Sequence, residues 1–323
     1  MSLKKKWRNS DTREGGTEMK TVGIIGCGAM GKGIVKNFLK NGYKVYVYDL
    51  NEQALKRIAE KGAIIAHSPK EVAMNVNIVI TSLPTPSIVK ETLIGKNGIF
   101  TYLEKESIVI DMSTVDSETA EGLGQKAEEK NILFFDCPVS GGPSGANDGT
   151  LTIMVGGKRD SFPKLDPILK VVGEHIFYLG KNGAGQAAKL CHNMIVASTI
   201  VSLGEAFTVA SRAGLELEQL AEVMRKGSAT RVLDVFGENI LKGEYENVLF
   251  SLEHMLKDVS LYGETAKTMK VPSFIGSVVQ GLFEIAKEKG KGKLDTSAVC
   301  EVIGELAGAE IGTSNSTLSV TEK

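Results

Sequence analysis

The sequence predicts an α/β chain, with a doubly wound, mostly parallel sheet first and an all-helical domain after it. Three observations lead there. Short β-branched runs alternate with helical stretches from residue 21 to about 180, which is the pattern of strands joined by crossover helices. The first run opens into a Gly26-x-Gly28-x-x-Gly31 turn followed by an amphipathic stretch. After Gly180 the alternation stops and helical periodicity takes over.

The predicted strands are Val22–Ile25, Val45–Tyr48, Ile78–Ser82, Ile108–Met112, Leu133–Phe135, Leu151–Val155 and His175–Tyr178. The helices between them are read at Asn51–Glu60, Ser87–Leu93, Ser117–Lys130 and Ser161–Val171. The opening unit has its parts in a set order: strand, glycine turn, helix, strand, and then the acid Asp49. Gly26 lets the chain turn sharply, Gly28 has no side chain to keep a pyrophosphate off the backbone, and Gly31 lets the helix pack close to the sheet. The start of that helix offers unpaired N–H groups to phosphate. Gly26, Gly28, Ala29, Met30 and Gly31, with Asp49 and Leu50, are the candidate nucleotide contacts of a Rossmann-type domain. Asp49 lies where a carboxylate accepts hydrogen bonds from both ribose hydroxyls and would repel a 2′-phosphate. Leu50 and Asn51, which follow it, cannot clamp one. NAD is therefore expected, with NADP disfavoured.

From 189 to 212 the chain has no proline and a single glycine, Gly204, and is rich in Ala, Val, Ile and Leu. It reads as one long buried helix. Segments 216–226, 251–269, 273–289 and 295–308 also read as helices. The expected organisation is a disordered leader over 1–19, a dinucleotide-binding domain over 20–181, an all-helical domain over 182–310 for substrate and subunit contacts, and a loose tail over 311–323. A ligand should lie at the carboxyl ends of the strands, where strand order reverses, with the helical domain closing the crevice.

Composition narrows the function classes. A net charge of −1 over 323 residues draws the chain to neither nucleic acid nor an anionic membrane. The four cysteines, Cys27, Cys137, Cys191 and Cys300, form no C-x-x-C pair and fit a reducing, cytoplasmic setting. No apolar run reads as long enough to cross a bilayer. The basic residues of the leader are followed by no apolar segment, so it does not read as a signal peptide. The histidines are too dispersed for a metal site, and none is expected.

Three further segments bear on chemistry. The run from Asp136 to Gly149 follows a strand and is rich in glycine. Ser140 with the bare N–H groups of Gly141 and Gly142 suits a carboxylate, and a plain surface turn would need the same glycines. In Gly183-x-Gly185-x-x-x-Lys189-x-x-x-Asn193, Lys189 and Asn193 share one helix face. A lysine in an apolar helix either gives up its proton readily, as a general acid/base needs, or snorkels to solvent. Lys257-Asp258, in the last segment, is by itself an ordinary ion-pair helix.

Together these motifs resemble the β-hydroxyacid dehydrogenase family, typified by 3-hydroxyisobutyrate dehydrogenase, with the semialdehyde reductases as relatives. The likeness runs from about residue 20 to 310 in the family's motif order: the glycine turn with Asp49, D-x-P-V-S-G-G-x-x-G-A, G-x-G-x-x-x-K-x-x-x-N and the late K-D. Leu83-Pro84 and Asp111-Met-Ser113-Thr114 also match segments that line the family's cofactor site. The resemblance implies that Lys189 is the catalytic lysine. It implies that Ser140, Gly141 and Gly142 grip the substrate carboxylate, with Asn193 and Ser113 beside it. Leu83, Pro84 and Thr114 would contact the nucleotide, and Lys257, partnered by Asp258, would reach toward cofactor and substrate. It also implies a homodimer or homotetramer.

The expected activity is hydride transfer between NAD and a small carboxylate-bearing 3-hydroxy acid, with Lys189 moving the hydroxyl proton. An NADPH-dependent glyoxylate or succinic semialdehyde reductase is the alternative within enzymes. A non-catalytic nucleotide-binding scaffold is the alternative of another class. Imine reductases of the same fold generally lack the catalytic lysine, and no Tyr-x-x-x-Lys occurs to suggest a short-chain dehydrogenase.

Overall fold

The computed structural model describes residues 20–227, 232–309 and 311. The leader and the tail after Ile311 lie outside the described residues. The chain divides into two compact units, residues 1–189 and 190–323.

The first unit contains β1 (Thr21–Ile25), α1 (Gly31–Lys40), β2 (Lys44–Tyr48), α2 (Glu52–Ala59), β3 (Ile64–Ile65), α3 (Pro69–Asn75), β4 (Ile78–Thr81), α4 (Pro86–Ile94), β5 (Ile108–Asp111), α5 (Ser117–Glu129), β6 (Leu133–Asp136), β7 (Val139–Ser140), α6 (Gly142–Asp148), β8 (Leu151–Gly157), α7 (Phe162–Leu169) and β9 (Gly173–Gly180). One nine-stranded sheet runs β3-β2-β1-β4-β5-β6-β8-β7, with β9 also paired to β8. Its first six strands are parallel, whereas β8 runs antiparallel to β6 and β7. The order reverses between β1 and β4, which puts a ligand crevice at their carboxyl ends.

Both faces of the sheet are covered. Val22 and Ile24 of β1 pack with Ile34, Val35 and Phe38 of α1, Leu55 and Ile58 of α2, and Leu165, Ile168 and Leu169 of α7. Ile25 and Val79 face the other way, onto Val72 of α3, Val89 and Leu93 of α4, and Leu123 of α5. Alternation along a strand buried on both sides explains why these strands read as near-continuous apolar runs.

α8 (Ala184–Arg212) is a 29-residue helix that begins in the first unit and continues into the second. It is long and apolar enough by length and composition to cross a membrane, contrary to the sequence expectation. His192, Asn193, Ser198, Thr199 and Ser202 break up the apolar letters without lowering the average enough. Half of the apolar window is buried inside the protein, as in the core helix of a globular domain. The second unit adds α9 (Leu217–Lys226), α10 (Val232–Lys242), α11 (Leu252–Thr268), α12 (Phe274–Ala286) and α13 (Val299–Leu306). Ile200 and Phe207 of α8, Phe236 and Ile240 of α10, Met255 and Val259 of α11, Phe283 of α12, and Val299 and Val302 of α13 form its core. Gly204 lets α8 approach α13 closely: a Cβ there would lie 3.0 Å from the Cα of Cys300.

Candidate active site

The glycine turn at the carboxyl end of β1 has the backbone its residues require. Gly26 takes φ +96°, and a Cβ on it would lie 2.2 Å from the Ser82 carbonyl oxygen. A Cβ on Gly31 would lie 2.0 Å from the Gly26 oxygen, so α1 starts in contact with the turn. Nothing lies within 4 Å of where a Gly28 Cβ would sit, and Gly28 and Ala29 are exposed. At the end of β2, Asp49 Oδ2 accepts the Cys27 N–H (2.6 Å) and Oδ1 accepts the Asn51 N–H (2.7 Å). The carboxylate thus ties the glycine turn to the next strand, and each oxygen keeps a second lone pair for a hydroxyl. Asn51 also caps α2, and Leu50 stands out beside it, 86% exposed. Open space at Gly28, an adjacent helix start and a two-oxygen acceptor at the next strand end fit a dinucleotide's pyrophosphate and ribose.

The next two strands bring Leu83 and Ser113 together. Ser113 Oγ accepts the Leu83 N–H (2.9 Å), and the Ser113 N–H donates to Asp111 Oδ1 (3.1 Å). Thr81, paired with Asp111 across β4 and β5, donates its hydroxyl to the same oxygen (2.7 Å). Pro84 is exposed and Thr114 half-buried at this rim. Asp111 is fully buried and its Oδ2 has no hydrogen-bond partner. Burial pushes its carboxyl up to about 6, against the hydrogen bonds of Ser113 and Thr81, and the charge of Asp136 adds to the rise. Burial also raises Asp136, against hydrogen bonds from Gly183, Asn182 and Gln186. Cys27 is pushed up to about 12 by burial and then by Asp49, and burial raises Cys137 well above its ordinary value. Neither thiol is therefore poised as a thiolate.

A prediction follows from Asp111. Its pKa is raised on folding, so the native state holds this proton more tightly than the unfolded chain does. The resulting stability is fully present below about pH 3.8 and is lost as pH rises through about 6. The loss is on the order of 3 kcal/mol. Urea unfolding from pH 4 to 7 should show Asp111→Asn gaining on the wild type across that window. Parallel curves for the two proteins would remove the assignment.

The glycine-rich segment is docked on α1. Asn37 of α1 donates its side-chain amide to the Ala146 carbonyl (2.7 Å) and Lys36 Nζ to that of Asn147 (3.2 Å). Gly141 has φ +125° and Gly142 φ +60°. Both are exposed, and Ser140 beside them is half-buried. Lys189 is buried, with 8% of its surface exposed, so it does not snorkel into bulk water. In the second unit, Asn193 donates its amide to Asp258 Oδ2 (2.5 Å), and Lys257 Nζ pairs with Asp258 Oδ1 (2.9 Å). Asp258, 1% exposed, thus organises both neighbours. Asn193 Oδ1 lies 2.9 Å from His192 Nδ1. No group of three metal-capable side chains occurs among the described residues.

Sequence reasoning gave no role to Asp136 or Gln186. Gly183 N–H donates to Asp136 Oδ1 (2.9 Å) and Gln186 N–H to Oδ2 (3.1 Å). The Gln186 side chain accepts from Val115 N–H (3.1 Å) and donates to the Ser113 carbonyl (2.9 Å). These partners lie 47 to 73 residues away, and the only local hint was a glycine on either side of the helix start.

Fold and site together define a nicotinamide-dinucleotide-dependent oxidoreductase. The chain belongs to the β-hydroxyacid dehydrogenase family and is an NAD(P)-dependent hydroxyacid dehydrogenase. Residues 21–180 match the NAD-binding domain of 6-phosphogluconate dehydrogenase, and 183–303 match the NAD-binding domain of NADP-dependent 3-hydroxyisobutyrate dehydrogenase. The chain is 34% identical over 292 residues to 2-(hydroxymethyl)glutarate dehydrogenase of Eubacterium barkeri, covering 90% of this chain and 97% of that one. It is also 34% identical to the mitochondrial 3-hydroxyisobutyrate dehydrogenase of Homo sapiens, covering 88% and 87%. A solved structure of Mycobacterium tuberculosis 3-hydroxyisobutyrate dehydrogenase with L-serine superposes with a TM-score of 0.78 at 28% identity, covering 88% of this chain and 99% of that one.

Proposed function

We propose that this chain is an NAD-dependent dehydrogenase of small 3-hydroxy acids, running in reverse as the matching semialdehyde reductase, with Lys189 as the general acid/base. The observation that carries this reading is the burial of Lys189, 8% exposed near the start of α8. A lysine set out of bulk water beside a nucleotide-binding domain can exchange a proton with an alcohol, as an amine serving as general acid/base must. When bound, the nicotinamide ring accepts or returns the hydride of the alcohol carbon. Lys189 takes the hydroxyl proton as the carbonyl forms and gives it back in reduction. Gly26, Gly28, Ala29, Met30, Gly31, Asp49, Leu50, Leu83, Pro84 and Thr114 hold the nucleotide. Ser140 with the backbone N–H groups of Gly141 and Gly142 grips the carboxylate. Ser113, Asn193 and Lys257 complete the substrate side, the last two oriented by Asp258.

The names of the related proteins support one substrate class. 3-Hydroxyisobutyrate, L-serine and 2-(hydroxymethyl)glutarate each carry a hydroxymethyl group on the carbon next to a carboxylate. They differ in the other substituent at that carbon. An amine for the hydroxyl and convergent donors for the carboxylate read the shared part. A kinetic panel tests this: 3-hydroxyisobutyrate, L-serine and 2-(hydroxymethyl)glutarate, against glyoxylate and succinic semialdehyde, each with both cofactors. The expected result is the highest kcat/KM on a hydroxymethyl acid with NAD, since Asp49 would face the 2′-phosphate of NADP. Preference for NADPH and glyoxylate would favour the alternative reductase. Cytoplasmic action, with the four cysteines free, belongs to the same reading. So does a homodimer or homotetramer using the exposed Phe274, Ile275 and Val278; sedimentation of the same preparation as a monomer would count against that assembly.

A further inference from the structure

The G-x-G-x-x-x-K run contains a device that nucleotide binding does not require. The chain leaves β9 at Gly180, bends at Gly183 with φ +92° and enters α8 at Ala184. Asp136, the last residue of β6, is 0% exposed and holds this entry. Its two oxygens accept the Gly183 and Gln186 N–H groups, and the Asn182 side-chain amide donates to Oδ1 at 3.3 Å. These include N–H groups that a helix start leaves without an internal partner. Gly185 shows how tight the seat is: a Cβ there would lie 2.5 Å from the Met154 oxygen and 2.7 Å from that of Asp136. The first turn of α8 therefore rests directly on the end of β6 and the middle of β8. Gln186, also 0% exposed, ties the same turn to the 113–115 loop through both ends of its amide. Lys189 follows Gln186 by one helical turn.

A carboxylate is costly to bury at this place. Asp136 lies across from Asp111 in the β5–β6 register, so two buried acids sit on neighbouring strands. A neutral side chain such as Asn has one acceptor oxygen, whereas both oxygens of Asp136 accept N–H groups here. The carboxylate thus holds the helix start at two points three residues apart. Misplacing a reacting group by about 1 Å costs up to about a hundredfold in rate.

We propose that Asp136 and Gln186 are positioning residues for proton transfer: Asp136 seats the first turn of α8 on the sheet, and Gln186 fixes it to the loop carrying Ser113 and Thr114, so that the Lys189 amine is held at a set offset from the nucleotide site. This rests on Lys189 being the acid/base. The test is a double-mutant cycle of Asp136→Asn and Lys189→Ala, with kcat, KM and the NADH dissociation constant measured by fluorescence titration. Asp136→Asn is expected to lower kcat about 10- to 100-fold, with KM and the NADH constant changed less than threefold. In the Lys189→Ala background it should have no further effect on the residual rate. Multiplying effects, or an unchanged kcat in Asp136→Asn, would overturn the proposal and leave Asp136 a structural cap. Wild-type turnover in Lys189→Ala alone would instead remove the acid/base reading and the proposal with it. Should Asp136→Asn not fold, Gln186→Met, which keeps the cap and loses both loop bonds, is run through the same cycle with the same expectations.

Discussion

Replacing Lys189 with alanine is expected to lower kcat by roughly 10² to 10⁴, with the NADH dissociation constant essentially unchanged. The residues that fit the nucleotide lie elsewhere, on the turn after β1 and at the ends of β2, β4 and β5. The loss should therefore fall on kcat rather than on cofactor affinity, as for an interaction made only in the transition state. Lys189→Arg sharpens the experiment. Arginine keeps the positive charge and much of the length, but it does not deprotonate in a protein. If Lys189 served only to attract a carboxylate, arginine would restore most of the activity. If it carries the proton, Lys189→Arg should remain within about tenfold of Lys189→Ala. Substantial recovery in Lys189→Arg, or near-wild-type turnover in Lys189→Ala, would reject proton transfer at this residue.

The parts of the fold legible in the sequence were those whose signal is local. The strands β1, β2, β4, β5, β6 and β8 are visible as apolar runs because each is buried on one or both faces, and β9 as a short apolar run with one half-buried face. β3 and β7 were missed because each is only two residues long, too short for any period to show. α3 was missed although its signal was present: Ser68 caps Glu71 N–H at 3.1 Å, Pro69 stands in the first turn, and Glu71 returns to the His67 N–H at 2.8 Å. That is the reciprocal exchange of a capping box, shifted by one residue at the return bond. α6 is not visible in the sequence because its Gly-Pro-Ser-Gly start has poor helix propensity; packing against α1 holds it instead. α10 was also overlooked, although Leu233, Phe236 and Ile240 bury one face at helical spacing.

The site shows the same division. The glycine turn and Asp49 form a local pattern, so a nicotinamide dinucleotide could be read from them. Asp111, Asp136 and Gln186 are ordinary letters whose roles depend on partners 30 to 73 residues distant. An aspartate at a strand end looks the same in sequence whether it meets water or lies under a helix. Only the tertiary structure separates the two, through full burial and the N–H groups aimed at the carboxylate.

Gly28→Ala and Gly31→Ala should fail in opposite ways, although each adds one methyl group within four residues of the other. A Cβ on Gly28 meets nothing within 4 Å, and its φ lies outside the left-handed region. The fold should accept Gly28→Ala with a melting temperature within about 2 °C of wild type, since a change of under 0.5 kcal/mol is usual at open positions. The new methyl would occupy the space a pyrophosphate needs. Loss of one or two charge-assisted backbone contacts, about 1.5–3 kcal/mol each, predicts a rise in the NADH dissociation constant on the order of a hundredfold. Gly31→Ala places its Cβ 2.0 Å from the Gly26 carbonyl oxygen, a backbone atom. The turn and α1 must move apart, so destabilisation of several kcal/mol is expected, comparable with the larger overpacking penalties. Thermal unfolding and NADH titration on both variants separate the two outcomes. A destabilised Gly28→Ala, or a Gly28→Ala that binds NADH like the wild type, would mean that the open space beside Gly28 is not where the phosphates lie. A Gly31→Ala as stable as the wild type would mean that the turn and helix are not locked together as the close approach requires.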